Sequence, residues 1–227
     1  MAKLFGNLNL VVAVGLVFAI IVMVVFAGDP SANAPISAGR VLIWMHVFFG
    51  ILWIGLLYYL NFVQVPTMPK VPAELKAGVT GYIAPNVFFF FRWSALFTVL
   101  TGLSIAIVGH FAHEAFTFSG AGQTNLIGLG MYLALIMAAN VWFIIWPAQK
   151  GLLSGKITGE AAGPVRAKAG KFSRINTYLS GPMLVGMLGA NHANMHFSYP
   201  RLAILIVLGV LGVHAALYHA PKVGQTV

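Results

Sequence analysis

The stretch from Arg40 to Pro66, RVLIWMHVFFGILWIGLLYYLNFVQVP, decides the fold. It is an apolar run long enough to cross a bilayer, whose hydrocarbon a helix of about 20 residues spans. His46 lies inside the run, and Gly50 follows one turn later on the same helix face. Insertion scales put a charged side chain at mid-membrane at about 2.5–3.5 kcal/mol, and a neutral imidazole costs less. Something must offset that cost. A histidine above a glycine leaves room for a partner helix or a flat cofactor. His46 is therefore either hydrogen-bonded to a neighbouring helix or a ligand with a redox role.

The rest of the chain agrees with a membrane setting. Of 227 residues, 59% are hydrophobic and 7% charged, too few charges to cover a soluble domain. The expectation is one all-α, polytopic membrane domain over 1–227. A formal charge of +9 could suggest nucleic acid. The cations instead concentrate in loops on one side of a membrane, the positive-inside pattern, so no nucleic-acid partner is expected. There are no cysteines, which excludes disulfides, iron–sulfur clusters and covalently attached haem. A metal or haem here must use His, Met, carboxylate or backbone.

Apolar periodicity and breakers predict six transmembrane helices, at about 8–27, 38–64, 86–110, 126–146, 175–191 and 201–219. The first resembles a signal peptide, with Ala32-Asn33-Ala34 as a cleavage site, but its apolar run is longer than the usual ~7–15 residues. It is expected to be retained. Pro66 and Pro69 are expected to end the second helix and Pro147 the fourth. Pro182 falls inside the fifth and is expected to kink it. On the third, Ser94, Thr98, Gly102, Ala106 and His110 form a small-residue ridge at four-residue spacing, suited to close helix packing. The basic segment from Gln149 to Arg174 reads as a cytoplasmic loop. Both termini are then cytoplasmic, and of 13 Lys and Arg only Arg40 and Arg201 fall outside. The predicted location is a membrane, crossed several times.

This topology sorts the seven histidines by depth. His46 lies about 9 Å below Arg40 at 1.5 Å per residue. His110, His113, His192 and His196 fall at the outer ends of helices three and five. His214 is deeper, and His219 is at the inner surface. A b-type haem held by two histidines needs both at nearly one depth on facing helices. His46 meets that condition with His192 or His110, so at most one such haem is expected, on the outer side. His192 and His196, four apart, could instead hold Zn or Cu if helical. His110, His113 and His196 are otherwise plain surface histidines. No acid lies in a predicted span, which argues against a proton pump built on buried carboxylates.

Four blocks in order carry a resemblance. They are His46-Val-Phe-Phe-Gly50-Ile-Leu-Trp53-Ile-Gly55 through Tyr58, and Arg92-Trp93-Ser-Ala95 with Thr101-Gly102. Then come Met137-Ala-Ala-Asn140 through Pro147-Ala-Gln149-Lys150, and Ser173-Arg174-Ile-Asn176-Thr-Tyr178-Leu-Ser-Gly-Pro182, running on to Asn191-His192. Together they resemble the membrane domain of bacterial urate hydroxylases, the urate oxidase N-terminal family, over residues 40 to about 192. The resemblance implies urate oxidation with electrons passed to a cytochrome c, and it matches the family's membrane histidines to His46 and His192. The sequence departs from the family pattern at Ser94, where an acid is expected, and at Ile175, where a histidine usually stands. No Cys-x-x-Cys-His is present, so a separate c-type cytochrome is the expected electron acceptor.

Two functions follow as expectations. One is a membrane redox protein with one b-type haem near the periplasmic side, held by His46 and His192, with His110, Gly50 and Trp53 as further cofactor contacts. Trp44, Phe48 and Trp53 would wall the site. The other is a non-catalytic accessory subunit of a larger respiratory or photosynthetic complex. Convergence of His46 and His192 on an open site favours the first, and a gap filled by side chains the second. A transporter or metal-delivery protein ranks third, since no inverted repeat is visible.

Overall fold

A computed structural model of the chain describes residues 8–26, 38–192 and 199–223, and every regular element among them is helical. Contacts divide the chain into two units, residues 1–37 and 38–227. The first holds helix α1 (Leu8–Phe26), apolar along nearly its whole length. The second holds five long helices, α2 (Ala38–Tyr58), α3 (Ala84–Val108), α4 (Gly122–Asn140), α5 (Ala162–His192) and α6 (Tyr199–His219). Helix α2 packs on α3, and α4 on α5, while α5 also touches α2 and α6.

Among the described residues four continuous helices are long and apolar enough to cross a membrane: Gly39–Lys70, Ala73–Val108, Gly122–Leu153 and Leu202–Lys222. The chain is a membrane protein. Helix α5 is more polar for a structural reason. Its Asn176, Thr177 and Ser180 are fully buried: Asn176 bonds to α4, Ser180 to Tyr58 of α2, and Thr177 to the Ser173 carbonyl of its own helix.

Three helices run through prolines that the sequence reading took as stops, or begin well before them. Pro66, Pro85 and Pro147 each stand two residues after a π-helical turn, namely Tyr59–Gln64, Val79–Ile83 and Val141–Ile145. In each case the residue just before the proline donates its N–H five residues back, Val65 to Leu60, Ala84 to Val79 and Trp146 to Val141. A proline lacks this donor, and its ring crowds the carbonyl four residues earlier. Widening the preceding turn relieves that crowding without ending the helix. So α2 continues past Gln64 to Lys70, the third span begins at Ala73 rather than 86, and the fourth reaches Leu153. The expected stops at Pro66 and Pro147 are thereby corrected.

The basic segment from Gln149 to Arg174 is also mostly helix, not loop. Helix Trp146–Leu153 covers its start, and α5 begins at Ala162. Ala162 and Ala169 are buried, seven residues apart on one face, while Arg166, Lys168, Lys171 and Arg174 are exposed. Alanine, lysine and arginine all favour helix, so the charge there hid a helix extension.

One hydrophobic core joins α2, α3, α4 and α5 through Trp53, Leu57, Phe91, Met137, Val141 and Met183. Glycines set the helix spacing. A Cβ on Gly186 would lie 2.7 Å from the backbone nitrogen of Gly130, and one on Gly181 would lie 2.6 Å from the carbonyl oxygen of Gly209. Helix α5 is thus held at backbone contact by α4 on one side and α6 on the other.

Candidate functional site

His46 is fixed by α3. Its Nδ1 lies 2.9 Å from the Thr98 carbonyl oxygen and 3.3 Å from Thr101 Oγ1. Thr101 Oγ1 donates its own hydrogen to the Phe97 carbonyl at 2.6 Å. Both neighbours of Nδ1 are therefore acceptors, so Nδ1 carries the hydrogen and Nε2 is the unprotonated nitrogen of the neutral ring. Nε2 has no hydrogen-bond partner among the described residues. The small-residue ridge makes this possible. Ser94, Thr98 and Ala106 are buried, and Gly102 lies directly against the imidazole.

A cavity of about 390 Å³ opens beside His46 between α2 and α5. Its α2 wall includes His46, Gly50, Trp53, Gly55 and Tyr58, and its α5 wall is Met183, Leu184, Met187 and Leu188. A Cβ on Gly55 would touch nothing within 4 Å, and one on Gly50 would meet only the Thr98 methyl at 3.9 Å. The space over both glycines is genuinely open. A second space of about 30 Å³, room for about one water, lies on the α3 and α4 side of His46, against Gly102 and Met131.

Two polar groups mark the cavity's edge. Trp53 is 1% exposed, and its indole N–H is buried without a partner among the described residues. Tyr58 OH lies 2.9 Å from Ser180 Oγ, and Ser180 Oγ donates to the Thr177 carbonyl at 2.6 Å. Tyr58 is therefore the donor to Ser180, and the bond ties α2 to α5 below the cavity.

The sequence-predicted site residues separate into two groups. His46, Gly50 and Trp53 come together at one cavity. His192 is the last residue of α5, one turn beyond Leu188 in the register of the lining face, and its side chain lies outside the described residues. His196 lies outside them altogether. His110 sits past the end of α3 with φ of 58° and is exposed, as is His113, and neither lines the cavity. Trp44 and Phe48 do not wall the site either. They stack on each other at 5.7 Å and are exposed, Trp44 by 67%. Each is two residues from His46, about 200° around a helix, which turns it to the far face. Among the described residues no group of three or more His, Asp or Glu could hold a metal ion by itself.

Sequence reasoning missed the α5 wall and Tyr58. The available signal was apolar spacing: 183, 184, 187 and 188 on α5 repeat the one-face pattern of 46, 50, 53 and 54 on α2. It also missed a polar seam among the helices. Asn140 Nδ2 donates to Asn176 Oδ1 at 2.8 Å, and Asn176 Nδ2 to the Met137 carbonyl at 2.9 Å. Arg92, from the second resemblance block, stacks its guanidinium 3.8 Å from the Trp146 ring centre, while Trp142 Nε1 donates to the Arg92 carbonyl at 3.0 Å.

The sequence profile of a family described as urate oxidase N-terminal matches residues 112–224. The chain belongs to that family. The match takes in α4, α5 and α6, with two of the four resemblance blocks and His192. His46 and the Arg92 block precede it. No curated protein and no solved structure matches the chain.

Proposed function

We propose that this chain is a redox protein of the urate oxidase N-terminal family that binds one b-type haem in the His46 cavity. In this reading it crosses a bacterial inner membrane six times with both termini in the cytoplasm. The charge distribution supports the orientation. Urate is the proposed electron donor, by family membership, and a separate c-type cytochrome the acceptor.

One observation carries the reading. His46 holds its Nδ1 hydrogen on a backbone carbonyl, leaves Nε2 without a partner among the described residues, and is one of the residues lining a cavity of about 390 Å³. Metal-ligating histidines use this arrangement, because the second hydrogen bond fixes the tautomer and raises the basicity of the free nitrogen. The remaining residues fit a flat, largely apolar group. Gly50 and Gly55 clear its edge, and leucine and methionine side chains line the opposite wall. His46 and, by resemblance, His192 would be the axial ligands. The haem, when bound, would supply one-electron chemistry, and the apolar wall would exclude water from it.

An accessory subunit that had kept only the fold would be expected to fill the space beside His46 with side chains. The open cavity favours a ligand site instead.

The test is a dithionite-reduced minus oxidised absorbance spectrum of purified protein from haem-replete cells, with wild type beside His46→Ala and His192→Ala. A b-type α band in wild type that both variants lose is expected. A folded wild type without the band would overturn the haem.

A further inference from the structure

The seam between α2 and α5 contains a second cavity, and its chemistry is unlike the first. It lies beyond the Tyr58–Ser180 bond, at the opposite end from His46, and has a volume of about 430 Å³. Asn61, Val65, Lys171, Arg174, Ile175 and Tyr178 line it. Asn61 is 8% exposed, and both its amide hydrogens are committed, to the Leu57 carbonyl and to Ser173 Oγ, each at 2.9 Å. That bond fixes one wall to the other. Lys171 and Arg174 are three apart, hence neighbours on one face of α5. Neither has an acidic partner among the described residues, and no acid lines the cavity.

Its depth can be read from the helices. Asn61 is 21 positions after Arg40, about 31 Å along a helix, and Arg174 is 18 positions before His192, about 27 Å. Both distances match the ~30 Å hydrocarbon thickness. In the proposed topology the cavity opens at the headgroup level of the cytoplasmic leaflet, where basic pockets between helices hold anionic lipid headgroups.

We propose that this cavity binds the phosphate headgroup of an anionic phospholipid through Lys171 and Arg174. The guanidinium offers paired N–H donors to phosphate oxygens, and the ammonium adds a point charge. Val65 and Ile175 put apolar surface on the same walls, complementary to the glycerol and upper acyl chain. A free phosphate would use only the cations, so an amphiphile fits the lining better than a soluble anion. The inference takes the topology proposed above and does not depend on the haem.

Native mass spectrometry and thermal unfolding of the full chain in neutral detergent test it, with phosphatidylglycerol, phosphatidylcholine and inorganic phosphate as probes. Wild type should retain phosphatidylglycerol in preference to phosphatidylcholine and unfold at a higher temperature with it. Lys171→Gln/Arg174→Gln should bind at least tenfold more weakly, whereas Lys150→Gln, a cation outside the cavity, should bind as wild type does. Arg174→Lys, which keeps the charge but loses the paired donors, should weaken binding several-fold and serves if the double variant does not fold. Equal retention of the two lipids, equal loss in Lys150→Gln, undiminished binding in Arg174→Lys together with any folded double variant, or full protection by inorganic phosphate alone would each overturn the proposal.

Discussion

The imidazole of His46 rests on Gly102. A Cβ built on Gly102 would lie 2.9 Å from His46 Cε1 and 3.2 Å from Nδ1, closer than packed carbons tolerate. The glycine is what lets α2 approach α3 near enough for Nδ1 to reach the Thr98 carbonyl. Gly102→Ala should therefore push the ring off that carbonyl while leaving the rest of the α2–α3 contact in place. Loss of such a positioning bond typically costs 10–100-fold in metal affinity. Haem content after titration with hemin should fall by that order in Gly102→Ala, with the helical circular dichroism signal retained. Unchanged haem affinity would mean that the Thr98 contact does not position His46.

Gly55 offers the opposite experiment. It lines the cavity, but a methyl group there meets nothing within 4 Å. Alanine is the better helix former by about 0.8–1.0 kcal/mol in a helix interior, so Gly55→Ala should unfold no more easily than wild type and should gain a little stability. Gly55→Leu would put a larger side chain over the open space and should compete with any bound group. Thermal unfolding and ligand content measured on the same preparations separate the two effects. A Gly55→Leu protein that keeps full ligand content would place the ligand elsewhere.

How far the site was legible follows from which physical signal each part leaves. His46 over Gly50 stood out because a polar ring in an apolar run needs a reason, and period-3.6 geometry put the two on one face. The ridge from Ser94 to Ala106 was legible for the same cause, but His110 was not part of it: α3 ends at Val108, and a left-handed residue at 110 turns the chain away. Trp44 and Phe48 were misplaced because aromatic content was read without helix phase. The prolines misled more deeply. In water Pro66 and Pro147 would be sound stop signals, but inside a bundle a π turn absorbs each one, and nothing in the local sequence announces that turn. The basic N-terminal half of α5 was hidden because its charges mask helix propensity when only apolar runs are sought.

Asn176 is a buried crosslink whose loss should register in stability rather than in binding. It is fully buried, accepts from Asn140 and donates to the Met137 carbonyl. Asn176→Ala strands the Asn140 amide and leaves a void, at about 1–3 kcal/mol for the stranded group. Asn176→Asp keeps the acceptor but loses the donor to Met137 and brings a carboxylate into the bundle, so it should be worse than alanine at neutral pH. Unfolding in a denaturing detergent titration should rank wild type above Asn176→Ala above Asn176→Asp. An aspartate variant as stable as wild type would show that water reaches this seam.

The glycine pairs around α5 make the sharpest demand on packing. A Cβ on Gly186 meets three backbone atoms of α4, at 2.7, 2.8 and 2.9 Å, and one on Gly181 meets the Gly209 backbone at 2.6, 2.8 and 3.2 Å. Backbone cannot swing aside as a side chain can, so the helices must separate, and overpacking of this kind costs about 1–3 kcal/mol. The two substitutions should nevertheless differ in kind. Gly186→Ala pushes α5 from α4 beside Met187, which lines the His46 cavity, so it should lower both stability and ligand content. Gly181→Ala pushes α5 from α6, and α6 supplies no lining residue to that cavity. It should lower stability by a similar amount while the fraction that remains folded keeps its ligand. Measuring ligand content per folded molecule, by absorbance of size-exclusion peaks, distinguishes them. Equal ligand loss in both variants would mean that α6 and the cavity are coupled through α5 as a rigid body.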